Sequence, residues 1–141
     1  MSASSTAIVS LLSIASDLTL HVLNYGMPMP TSAQFFLSEQ GLALAGTTTG
    51  VAATAIAGGI TSGELDDWVS RIPTDYDKKL AKTMIASSVI NTKMLAQGGV
   101  GIVYAMLTGR PTAELKSWAS YQFLPSLILH GAVAGILPYV L

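Results

Sequence analysis

The stretch Ala7–Tyr25, AIVSLLSIASDLTLHVLNY, decides how this chain is read. It is apolar and long enough for a membrane helix, which needs about 20 residues. Yet it carries Asp17 and His21, four apart and so stacked on one helix face. Ser10, Ser13 and Asn24 join them. At 3.6 residues per turn these five positions fall within roughly 80° of arc. A charge in lipid is costly, so such a stripe must face protein or water. The helix therefore has a lipid side and a partner side.

Composition extends that reading to the whole chain. Of 141 residues, 50% are hydrophobic and 11% charged. A soluble domain carries about 25% charged residues, so this chain cannot cover a water-facing surface in the usual way. Five acids (Glu64, Asp66, Asp67, Asp75, Asp77) and four bases (Arg71, Lys78, Lys79, Lys82) fall in one stretch between Gly63 and Lys82. Net charge is −1, which provides no basic field for nucleic acid. Cysteine is absent, which excludes thiolate metal sites, iron–sulfur clusters and disulfides. MSASSTA has no basic region ahead of the first apolar run, so a retained helix is expected and not a cleaved signal.

The expected architecture is all-α: a single polytopic membrane domain with about four transmembrane helices, near 7–25, 41–60, 84–107 and 118–141. A short charged amphipathic segment separates helices two and three. GMPMP, 26–30, ends the first helix through its prolines. In TSAQFFLSEQ, 31–40, Thr31 or Ser32 is the expected cap, with Phe35 and Phe36 at the headgroups. The second span, GLALAGTTTGVAATAIAGGI, is nearly all Gly, Ala and Thr. Gly46 and Gly50 form a GxxxG pair suited to close helix approach, and Gly131 and Gly135 form another in the fourth span. In TSGELDDWVSRI, 61–72, Ser62 is the expected cap, and Leu65, Trp68, Val69 and Ile72 recur on one helical face. The third span carries Asn91, Lys93 and Gln97. Either it crosses with Lys93 inside, which is preferred, or it stays at the surface until Lys93. In the linker Thr108–Ser117, Thr112 is a plausible helix start. Trp118 and Tyr121 are placed at the fourth span's interfacial entry, with Pro125 and Pro138 kinking it.

The candidate polar interface comprises Asp17, His21, Asn24, Lys93, Gln97 and His130. An Asp17–His21 pair could relay protons or dock the helix on a neighbour. Helices one and three are parallel in a four-span bundle, and Asp17 and Lys93 then match in depth to within a turn, so they can pair. His21 and His130 differ in depth by roughly 12 Å, too much for a bis-histidine haem without strong tilt. The acidic group lacks the D-x-D-x-D-G calcium pattern and reads as a solvated loop. No hydrolase, zinc-protease, P-loop or dinucleotide fingerprint is present. The plan of four short spans also fails to carry the signature of inner-membrane translocases or of membrane-associated eicosanoid and glutathione enzymes.

The expected role is a non-catalytic accessory subunit of a larger membrane complex, with an energy-transducing complex as one candidate; the sequence leaves an organelle and a bacterial inner membrane both open, a mitochondrial or plastid membrane being the guess. Its partners would be other membrane subunits or further copies of itself. It would need no cofactor, would bind lipids, and would keep both termini on the cytoplasmic or matrix side. Alternatives are a homo-oligomeric transporter or channel using Asp17, His21 and Lys93, and a small enzyme acting on a lipid-like substrate.

Overall fold

A computed structural model describes residues 4–27, 30 and 32–140. Pro28, Met29 and Thr31 fall outside it, and with them the expected Thr31 cap and part of GMPMP. Every regular element among the described residues is helical. We number the helices α1 (Ser5–Tyr25), α2 (Glu39–Thr61), α3 (Glu64–Ser70), α4 (Asp75–Thr108) and α5 (Ala113–Val140). Three of them, α1, α2 and α5, are long and apolar enough to cross a membrane.

Local chemistry sets the boundaries. Ser4 begins α1 by accepting the Ala7 N–H at 3.0 Å, and Gly26 ends it at φ 69°, where a side chain would be strained. The segment after Pro30 does not start α2. It forms a 3₁₀ turn, Ala33–Leu37, and the cap is Ser38, which accepts the Gly41 N–H at 3.1 Å. Gly41 is required there: a Cβ would stand 2.0 Å from the Phe35 carbonyl oxygen. Ser62 likewise closes α2 and does not open α3, whose N-terminal flank is Gly63. Of the apolar face expected on α3, Val69 is buried, while Leu65 and Trp68 point outward.

α4 is one unbroken helix of 34 residues, about 51 Å at 1.5 Å per residue. Its first turns are exposed, and its middle is not: Lys93 has no exposed surface. α5 starts at Ala113 because Thr112 Oγ1 accepts the Leu115 N–H at 3.2 Å. Pro125 shapes the turn before it. Proline has no N–H to return to Tyr121, four residues back. The helix accommodates this with a π turn over Ala119–Phe123, in which the Leu124 N–H reaches Ala119. The freed Tyr121 carbonyl accepts Asn24 Nδ2 from α1 at 2.9 Å. Pro138 lies inside the last turns without ending them.

Cross-links at the helix ends define the topology. Thr6 Oγ1 donates to Asp66 Oδ1 at 2.9 Å, so the start of α1 lies beside α3. At the other end Tyr25, Glu39 and Ser117 meet, and Tyr104 O–H donates to the Leu37 carbonyl at 2.5 Å. α1 and α4 therefore run one way, and α2 and α5 the other. α4 is central, packing on α2, α5 and α1.

Trp118 is the main correction to the expected interfacial belt. It is buried in a cluster with Leu42, Ala43 and Tyr104, because Gly46 and Gly101 leave room for its indole. A second cluster gathers Val9, Ala86, Ile90, Met94 and Ala134.

Candidate functional site: a buried ionic network

Two helices bring polar stripes to the same place. On α1 the buried positions Val9, Ser13, Asp17 and His21 advance in steps of four. On α5 Trp118, Gln122, Ser126, His130, Ala134 and Pro138 do the same. Such i+4 rows are the ridges by which helices interlock. Between them α4 contributes Lys93 and Gln97, one turn apart on its inner face.

Lys93 is the centre. Its ammonium has three protons and no acceptor. Asp17 Oδ2 takes one at 2.7 Å, Ser126 Oγ takes one at 2.6 Å, and His130 Nδ1 takes the third. Since lysine only donates, His130 Nδ1 must accept, and the neutral ring then carries its proton on Nε2. That Nε2 is buried without a partner. Ser126 donates its own proton to Asp17 Oδ1 at 2.7 Å. Ser13 Oγ lies 3.3 Å from His130 Nδ1. Asp17, Lys93, Ser126 and His130 are each at most 1% exposed. Three helices are thus tied through one cation and one carboxylate.

Gln97 extends the network to α2. Its Nε2 donates to the Gly46 carbonyl at 3.2 Å and lies 3.5 Å from Asp17 Oδ2. It can reach that carbonyl only because Gly50 has no side chain: a Cβ there would stand 2.4 Å from Gln97 Nε2. The Gly46/Gly50 pair therefore admits an indole on one residue and an amide on the other. Gly131 and Gly135 differ: a Cβ on either meets nothing within 4 Å. The side-chain positions of this pair are open among the described residues.

His21 does not pair with Asp17, its neighbour one turn away. The carboxylate turns to α4 and α5, and His21 Nδ1 lies 3.1 Å from Thr47 Oγ1 on α2. Asn24 reaches Tyr121 and, at 3.4 Å, Gln122 Oε1. The stripe on α1 thus divides its partners among all three long neighbours. Among the described residues no three His, Cys, Asp or Glu side chains converge as metal ligands would.

Ser126 was missed from the sequence, where it stands in the apolar run FLPSLILH. The available signal was its place four residues after Gln122 and four before His130. Thr47 had no comparable signal in a helix full of threonine.

A smaller network closes the opposite end of the bundle. Glu39 Oε1 accepts Ser117 O–H at 2.6 Å and Tyr25 O–H at 3.2 Å, joining α1, α2 and α5. Hydrogen bonds to a carboxylate contribute more than neutral ones. Glu39→Ala should lower the unfolding free energy by about 1–3 kcal/mol, and Glu39→Gln, which keeps an acceptor, by clearly less. Thermal unfolding in detergent micelles followed by circular dichroism would measure both.

No protein-family model, curated protein or solved structure matches the chain.

Proposed function

We propose that this chain is a four-span membrane protein, crossing with α1, α2, α4 and α5, and that it serves as a non-catalytic structural subunit of a larger membrane assembly. One observation carries the reading: its polarity is reversed relative to a soluble bundle. Asp17, Lys93, Gln97 and His130 are buried, while Leu23, Leu95, Leu107, Ile128 and Ile136 are largely exposed. Apolar exterior on every long helix suits lipid or neighbouring subunits.

The burial of the ionisable groups also argues against the transporter and enzyme alternatives. Lys93 and Asp17 spend their hydrogen bonds on one another and on Ser126, His130 and Gln97, which favours a role in holding helices together. On this reading α3, the start of α1 and the end of α5 share one side. Arg71, Lys78, Lys79 and Lys82 lie there, against Arg110 and Lys116 opposite, which favours the cytoplasmic or matrix side for both termini.

Extraction in a mild detergent, a native gel and mass spectrometry of the band test the proposal. The chain should resist alkaline extraction and migrate with other subunits. A stable, homogeneous monomer after mild extraction would overturn the subunit role.

A further inference from the structure

A groove of about 650 Å³ lies between α1 and α2. Leu18 and Val22 form one wall, and Leu44, Val51 and Ala52 the other. The His21–Thr47 pair is the main polar element in it.

We infer that this groove is a binding site for one acyl chain of a membrane glycerolipid, an inference that rests on the membrane-spanning reading above. Two observations support that occupant. The walls are hydrocarbon, so a hydrocarbon ligand is matched. The groove begins beside Met27, where α1 ends, and stops near Leu18 and Ala52, close to the midpoints of both helices. From Leu44 to Ala52 the rise is about 12 Å, against about 15 Å for half a hydrocarbon core. The groove thus has the depth of one leaflet, which suits an acyl chain and is short for a crossing helix.

Ala52 and Thr48 are both exposed, so tryptophan at either fills the groove without entering the core. The purified chain in mild detergent, titrated with palmitoyl-oleoyl phosphatidylcholine, is read by native mass spectrometry. Wild type should hold one tightly retained lipid. Ala52→Trp and Thr48→Trp should each reduce its occupancy about tenfold or more. Leu11→Trp, on an exposed position outside the groove, should leave it unchanged. Circular dichroism identifies which variants remain folded, and either groove variant suffices. Equal retention in a folded groove variant overturns the inference, as does wild type retaining no lipid, or a groove variant that changes only the mass of an attached protein. A chain that stays soluble without detergent would instead refute the membrane-spanning reading itself.

Discussion

Lys93→Met will lower the unfolding free energy by about 3–5 kcal/mol. The lysine is 0% exposed and ends 2.7 Å from Asp17 Oδ2. Removing it leaves a carboxylate at 1% exposure facing Ser126 and a distant amide. Taking a charge out of water costs several kcal/mol, and only its partner offsets that cost. The loss comes from the orphaned charge more than from the missing attraction. The double variant Asp17→Asn, Lys93→Met should therefore recover most of the stability. A carboxamide in place of the Asp17 carboxylate can still accept from Ser126, and a methionine side chain fills most of the volume that Lys93 occupies. Unfolding in micelles, followed as a double-mutant cycle, measures both. If the double variant is as unstable as the sum of the single ones, the pair is not acting as a unit. Because the network joins α1, α4 and α5, the single variant should also loosen all three helices together, seen as faster amide exchange near Ser13 and Ser126.

Gly46→Ala and Gly131→Ala should behave in opposite ways, although both glycines stand in a GxxxG pattern. A Cβ at Gly46 would lie 2.7 Å from Trp118 Cζ2. The indole has little room to retreat, because it is 2% exposed and packed in a cluster with Leu42, Ala43 and Tyr104. Overpacking a filled core costs about 1–3 kcal/mol even for small insertions. Gly46→Ala should fall in that range, and Gly46→Leu should prevent α2 from seating on α5. Gly131→Ala meets nothing within 4 Å, and replacing a helical glycine by alanine gains about 0.4–1 kcal/mol. Thermal midpoints of the purified chain would separate the two sites. A destabilised Gly131→Ala chain would show that the two glycine pairs are equivalent after all.

The difference between those glycines marks how far the sequence could be read. A GxxxG pattern says that close approach is possible. It does not say what approaches. At Gly46 and Gly50 the visitors are Trp118 and Gln97, from positions 72 and 47 residues away respectively. The polar stripe of α1 was legible because Asp17, His21 and the serines share a face at 3.6 residues per turn. The depth match of Asp17 with Lys93 was legible too, since it needs only helix order and rise per residue. The partners of His21 were not. Two residues four apart on one helix are close enough to interact, yet each side chain turns toward whichever neighbouring helix presents a complementary group.

Helix boundaries followed the same division. Thr112 could be found as a cap because a cap acts on its own first turn, whereas at the start of α1 the sequence leaves Ser4, Ser5 and Thr6 as equal candidates and the structure uses Ser4. The roles of Ser38 and Ser62 could not. The 3₁₀ turn before Ser38 is stabilised by Tyr104 reaching the Leu37 carbonyl, a contact that local sequence does not encode.

By itself, then, the sequence determined an all-helical chain, the polar face of α1 and the charged segment between α2 and α4. These depend on periodicity and composition, which are local. The tertiary structure alone decided that Lys93 meets Asp17, Ser126 and His130 at once, that Trp118 is buried, and that one glycine pair is filled and the other open. Those outcomes depend on which helix faces which, and that is settled by the joint packing of three stripes around Lys93.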